Sequence, residues 1–340
     1  MTWQPQHPPV DHPPVRSGRI GVLLVNLGTP EAADAPAVKR YLGEFLSDRR
    51  VVEIPPLIWQ PILRGVVLTT RPRKSAHAYA QVWTEAGSPL AAVTRAQAEG
   101  LQARFGADVM VDWAMRYGSP AIPDRLQALM DAGCDRILLA PLYPQYCSAT
   151  TGTAVDKAGD WLRTRRWQPA LRTLPPYHDD PVHIAALAAD LGAQLDALDF
   201  QPEVLLLSFH GMPQRTLEQG DPYHCQCRKT ARLLEARMER PGLRFATSFQ
   251  SRFGRAKWLE PATDRVLAEE AAKGTRRLAI AAPGFSADCL ETREELAIRG
   301  REQFLTAGGE SFATLDCLNT SEPGMAMLEA LVRRELSGWI

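Results

Sequence analysis

An imidazole stands at His210, directly after the apolar run Val204 to Phe209 (VLLLSF) and before Gly211-Met212-Pro213. A neutral imidazole at the carboxyl end of a buried strand can take up a proton near physiological pH; a purely structural histidine would fit there equally well. Asp288, Glu291 and Glu295 follow a second run, Arg277 to Pro283 (RLAIAAP), and their spacing of three and four predicts one shared face of an α-helix. On a solvated helix these acids would only complement the dipole at its start. Opposite an imidazole, they suit proton abstraction or a divalent metal of borderline hardness such as Fe²⁺.

Two further groups carry weaker signals. Cys225 and Cys227 form a C-x-C, while Cys134, Cys147, Cys289 and Cys317 are scattered, so free thiols are expected rather than a zinc or iron–sulfur site. Ile58, Ile62 and Val66, flanked by Trp59, Leu63 and Val67, make a broad apolar stripe followed by Arg71, Arg73 and Lys74. Such a stripe ordinarily covers a core. As a lip it would hold a large flat apolar ligand while the basic residues meet its carboxylates.

These groups need rigid supports, and the chain offers them twice. Ile20 to Leu27 (IGVLLVNL) is a continuous apolar run of the kind buried on both faces in a parallel sheet. It ends at Gly28-Thr29-Pro30, as Val204 to Phe209 ends at His210-Gly211-Met212-Pro213. Asp108 to Ala114 is answered by Arg244 to Phe249, and Arg136 to Pro141 by Arg277 to Pro283, in the same order. Helical stretches lie between them, such as Ala121 to Ala132 and Ala262 to Lys273, each followed by a glycine C-cap signal at Gly133 or Gly274.

The expected fold is therefore α/β, with two Rossmann-like, doubly wound parallel-sheet domains related by internal duplication. Residues 1–18 read as a disordered Pro/His-rich arm, 19–170 as the first domain with the lip, and 171–320 as the second. Residues 321–340 read as a helix packing back on the first domain. Ligands on such sheets bind beyond the carboxyl ends of the strands, here in a cleft between domains. That points to residues 26–30, Arg116–Tyr117, 143–151, His210, Gln250–Ser251 and 285–291.

Composition removes several classes of function. The 340 residues carry 39 Lys+Arg against 39 Asp+Glu, so the positive field that nucleic-acid binding requires is missing. The most apolar stretch, Pro55 to Leu68, is broken by Pro61 and Arg64 and falls short of the ~18 residues of a transmembrane helix. Sparse cysteines and no apolar leader point to a reducing cytoplasm. There is no G-x-G-x-x-G after a strand, no P-loop, no G-x-S-x-G and no H-E-x-x-H.

Taken together, nine motifs resemble those of the ferrochelatase family. They are LLVNLGTP (23–30), LSDRRVVEIP (46–55), GSPL (87–90), MRYG.P (115–120), PLYPQYCSATTG (141–152), LLLSFHGMPQR (205–215), GDPY (220–223), FQSRFG...WLEP (249–261) and PGFSADCLETREEL (283–296). The resemblance implies insertion of Fe²⁺ into a porphyrin held in a cleft between two Rossmann-like domains. By motif it gives His210 the catalytic role and makes Glu291 its partner, both also metal ligands, with Asp288 and Glu295 on a proton or metal path. Arg71, Tyr79 and Ser88 match porphyrin-binding positions on the lip, and Arg116, Tyr117 and Ser251 match the pocket wall.

Departures from the family pattern also carry expectations. Cys289 stands where some members have a histidine, and Arg299 stands where a further acid often extends the ladder. Members with a [2Fe–2S] cluster commonly use cysteines in a C-terminal extension, whereas no cysteine follows Cys317 and Cys147 is offset by one. No cluster and no permanently bound cofactor are therefore expected. Leu27 replaces the tyrosine of coproporphyrin-acting members, which favours protoporphyrin IX.

The expected partners are protoporphyrin IX and Fe²⁺, with no nucleic acid, a transient contact of the lip with a membrane or an upstream enzyme, and a monomeric state. Two alternatives stand beside this one: a cobalt, nickel or coproporphyrin chelatase, and a non-catalytic haem or porphyrin carrier. A carrier has no use for an acidic face opposite its ligand, so Asp288, Glu291 and Glu295 weigh against it.

Overall fold

β1 (Arg19–Gly28) is the spine of the first half of the computed structural model, which describes residues 18–252, 254 and 256–340. Val22 and Leu24 face one core with Leu101 and Leu138, while Leu23 and Val25 face another with Leu126, Ile137 and Trp161. A strand covered on both faces has no polar side to spare, which is why its sequence is apolar without alternation. The arm expected over 1–18 lies outside the described residues apart from Gly18.

Four α-helices follow β1: α1 (Ala35–Ser47), α2 (Pro56–Ile62), α3 (Leu68–Val82) and α4 (Pro89–Phe105), with a π-helical turn over Leu63–Val67 between α2 and α3. Then β2 (Val109–Tyr117), α5 (Ile122–Asp131), β3 (Cys134–Pro141), α6 (Thr153–Arg163) and β4 (Ala170–Thr173) complete the half. The strands are parallel, in the order β2-β1-β3-β4.

After α7 (Pro181–Asp196) the pattern repeats. β5 (Val204–His210), α8 (Gln214–Glu218), α9 (Tyr223–Met238), β6 (Arg244–Gln250), α10 (Thr263–Ala272) and β7 (Arg277–Ala281) come first. A π-helix over Glu291–Gly300, α11 (Arg301–Thr306), β8 (Ser311–Thr314) and α12 (Glu322–Glu335) complete the chain. The second sheet is parallel in the order β6-β5-β7-β8, the same topology as the first.

The duplication extends to details of the strand ends. After β2, Met115 N donates to Pro120 O over 2.7 Å; after β6, Phe249 N donates to Pro261 O over 2.9 Å. At the end of β1 a Cβ on Gly28 would lie 2.0 Å from Tyr117 O, and after β5 a Cβ on Gly211 would lie 2.4 Å from Gln250 O. Each half therefore needs a residue without a side chain where its first strand passes the end of the second.

β4 begins at residue 170, the position where the sequence suggests a domain boundary, and the two halves are interlocked by polar contacts. Gln97 Nε2 reaches Ser286 O over 2.9 Å and Asn319 O over 2.8 Å, and Ser148 N donates to Asp221 Oδ2 over 2.8 Å. α12 lies along α4, where Arg104 pairs with Glu322 over 2.5 Å and Glu329 over 3.1 Å.

Candidate functional site

His210 closes β5 on the face that also carries Leu206 and Ser208, because side chains alternate along a strand. Its Nδ1 lies 2.7 Å from Gly211 O. A carbonyl can only accept, so Nδ1 carries a hydrogen, and in the neutral ring Nε2 is the nitrogen with the free lone pair. The half-buried ring is thus set as a base or ligand through Nε2. Gln250 pairs with it across the ladder at the end of β6, and Ser251 follows with φ +65°.

Glu291 opens the π-helix amid Cys289, Tyr79 and Tyr41. Burial, and then the Glu291 carboxylate, push the Cys289 thiol up and keep it protonated. Tyr79 is likewise held neutral by burial and by Glu291, and it packs against Leu290. Leu90, two residues beyond the buried Ser88, joins Met115, Ala287 and Cys289 in a small apolar cluster. The structure therefore brings Tyr79 to Glu291 directly and Ser88 to the same wall through its neighbour.

Asp288, Glu291 and Glu295 do not stand together on one α-helix. The helix is π rather than α, so its hydrogen bonds run to the fifth residue and its turns widen, a form often found at functional sites. Glu294 accordingly pairs with Arg299, five residues on, over 2.9 Å. Asp288 precedes the helix and shares no face with Glu291. Its buried carboxylate accepts from Thr292 Oγ1 over 2.7 Å, Asn319 Nδ2 over 2.6 Å and Arg293 over 2.8 Å. Those contacts are the contacts of an anchor. Glu295 accepts from Ser251 N over 2.8 Å and from the Ser251 hydroxyl, which joins the π-helix to the end of β6.

Arg116 and Tyr117, at the end of β2, are both tied to Asp48. Asp48 Oδ2 accepts from Arg116 Nη2 over 2.5 Å, from the Tyr117 hydroxyl over 2.8 Å and from Thr153. In the sequence Asp48 is one residue of the LSDRRVVEIP motif and Gln250 one residue at a strand end; only the contacts of the folded chain single them out.

The lip divides by face. Trp59 is buried with its Nε1 donating to Leu46 O over 2.6 Å, and Leu63 is buried beside it. Leu57, Ile58 and Val66 point outward, 93%, 59% and 57% exposed. Arg71 is half-buried two helical turns before Tyr79, and Leu27 is half-buried at the end of β1. Among the described residues, no three His, Cys, Asp or Glu side chains close into a ready metal cage.

This set of strand-end residues has close relatives. A ferrochelatase family model matches residues 19–336. The chain belongs to the ferrochelatase family. The ferrochelatase of Rhizobium meliloti is 54% identical over 334 residues, covering 97% of this chain and 98% of the relative. That of Rhizobium leguminosarum bv. trifolii is 53% identical over 344 residues, with full coverage of both. Among solved structures, SirB from Bacillus subtilis with Fe³⁺ superposes with a TM-score of 0.55 at 14% identity, covering 93% of this chain and 95% of SirB. The sirohydrochlorin chelatase SirB from Bacillus subtilis subspecies spizizenii, in complex with cobalt, gives 0.52 at 11% identity, covering 94% and 96%. These likenesses show the duplicated chelatase fold.

Ferrochelatase-family enzymes place a metal ion in a tetrapyrrole, which requires a base for the pyrrole protons and a donor for the incoming ion. His210 stands at the end of β5 and Glu291 at the start of the π-helix.

Proposed function

We propose that this ferrochelatase-family enzyme inserts Fe²⁺ into protoporphyrin IX, giving protohaem and two protons. The observation that carries the assignment is the contact of His210 Nδ1 with Gly211 O at the end of β5, which in the neutral imidazole makes Nε2 the nitrogen with the free lone pair. Nε2 accepts the pyrrole protons. Glu291, flanked by neutral Tyr79 and Cys289, supplies the negative donor that draws Fe²⁺ toward the ring. The macrocycle loses two protons as it takes a dication, so charge is conserved.

Leu27, Tyr79 and Ser88 bear on the ring, and Arg71 meets a propionate at the lip. Arg116, Tyr117 and Ser251 form the wall, the first two held in place by Asp48. Leu27 supports protoporphyrin because its isobutyl group suits a vinyl-bearing edge. Asp288 fixes the start of the π-helix through Arg293 and Asn319, and Glu295 stands on the path behind Glu291. Iron is a substrate here. Cysteines scattered over the fold support an enzyme without a [2Fe–2S] cluster. The exposed lip supports a brief contact with a membrane or a delivering enzyme, and the working unit is taken as a cytoplasmic monomer.

The test is an anaerobic assay with Fe²⁺ or Zn²⁺ and either protoporphyrin IX or coproporphyrin, following loss of porphyrin fluorescence. Many turnovers with protoporphyrin, lost in His210→Ala without loss of porphyrin binding, are expected. Faster turnover of coproporphyrin would overturn the substrate, and one equivalent bound without turnover would make the protein a carrier. Labile sulfide in the purified protein would overturn the absence of a cluster.

A further inference from the structure

Gln250 lies beside His210 with half of its amide unused. The two residues pair across the β5–β6 ladder, and Ser208, two residues before His210 on the same face, holds Gln250 Oε1 over 2.7 Å. Ser208 Oγ lies 2.8 Å from Thr263 Oγ1, which lies 2.9 Å from Ser248 Oγ. The three hydroxyl hydrogens in this chain need three acceptors. Running it from Ser248 through Thr263 and Ser208 to Gln250 Oε1 satisfies all of them, which fixes the amide with its NH₂ free. Gln250 is 2% exposed, yet Nε2 has no partner among the described residues. A buried donor without an acceptor is a place made for one.

The surroundings identify that acceptor. Gln250 also lines a cleft of about 480 Å³ with Ser251, Trp258, Glu295 and Arg299, and Ser251 ties Glu295 to the end of β6. A donor beside an imidazole, with a carboxylate one residue further along, fits a single bridging oxygen.

We propose that Gln250 is a positioning residue whose Nε2 holds one water molecule between the His210 imidazole and the Glu295 carboxylate, and that this water carries the pyrrole protons out of the site. The proposal rests on His210 as the base. Once His210 Nε2 has taken a pyrrole proton, the water accepts that proton and passes one of its own hydrogens to Glu295. Imidazole returns to neutral, the carboxylate becomes a carboxyl, and the water is unchanged. Glu295 then releases its proton to solvent in the cleft, and two passes account for the two protons of one insertion.

Gln250→Met keeps the length of the side chain and removes the amide. It should lower kcat for metal insertion about tenfold while the KM and Kd for porphyrin stay within about twofold of the parent. Ser208→Ala, which frees the amide to turn, should lower kcat in the same direction, and it serves alone if Gln250→Met fails to fold. In the Gln250→Met background Ser208→Ala should cost nothing more, because it acts through Gln250. A kcat within twofold of the parent in the folded variants, losses that add, or a parallel loss of kcat and porphyrin affinity would each overturn the proposal. His210→Ala separates the two readings. If that variant still turns over, the assigned base falls; if it is dead while Gln250→Met works normally, only the bridging water falls.

Discussion

The Tyr117 hydroxyl donates to Asp48 Oδ2 over 2.8 Å, tying the end of β2 to the segment that follows α1. The same oxygen neutralises Arg116, whose side chain is only 11% exposed and whose other carboxylate neighbour, Glu44, stands at 3.9 Å. Asp48→Ala would therefore strand a buried cation, which costs about 3 kcal/mol. Burial by itself would raise the Asp48 carboxyl, but hydrogen bonds from Thr153, Arg50 N and Tyr117, together with Arg116, hold it below its ordinary value of 3.8. For an acid lowered in the folded state, the stabilisation is complete above the ordinary value and disappears as pH falls through the folded one. Urea unfolding at pH 7 should show the full difference between Asp48→Ala and the parent, and below about pH 3.8 the difference should shrink. Equal midpoints at pH 7 would mean that Asp48 does not hold Arg116.

A different pH effect comes from His183 on α7, which is 1% exposed and packs edge-on to Tyr177 with ring centroids 5.2 Å apart. Burial pulls it down from 6.5 to about 4, against an opposing pull from Asp180. The folded protein refuses a proton that the unfolded chain accepts, so this contribution is complete above about 6.5 and is lost as pH falls toward about 4. Each pH unit inside that window is worth about 1.4 kcal/mol. Between pH 7 and pH 5 the parent should lose roughly 2 kcal/mol more stability than His183→Gln, measured by thermal or urea unfolding. Parallel curves for the two proteins would place the acid sensitivity elsewhere.

Much of this molecule was legible in its sequence because burial on both faces writes an unmistakable pattern. β1 and β5 are unbroken apolar runs, and their repeated order with β2, β3, β6 and β7 announced the duplication. One edge strand of each sheet has no such pattern: β4 and β8 are four residues each, with mostly half-exposed side chains. His210 was legible as a strand-end residue, whereas its tautomer depends on Gly211 O, a backbone contact with no sequence signature. The acids after β7 read as one α-helical face because no residue pattern there separates π from α bonding, whereas the structure leaves Asp288 ahead of a π-helix that carries Glu291 and Glu295. Asp48 and Gln250 escaped for a common reason. Their partners lie far along the chain, Tyr117 69 residues away and Ser208 42 residues away.

The glycine at the end of β1 offers a direct check on how closely its strand passes the end of β2. Gly28 has φ +124°, which L side chains rarely adopt, and a Cβ there would stand 2.0 Å from Tyr117 O. Backbone on both sides leaves no flexible atom to yield, so Gly28→Ala should destabilise the protein by about 2 kcal/mol or more. Gly159 provides the contrast, since it sits inside α6 with nothing within 4 Å of a Cβ. Alanine at that position removes backbone freedom from the unfolded chain without a clash and should stabilise by about 0.5–1 kcal/mol. The thermal midpoint should therefore move in opposite directions in the two variants, down in Gly28→Ala and up in Gly159→Ala. A Gly28→Ala protein as stable as the parent would show that the two strand ends do not approach as closely as this geometry requires.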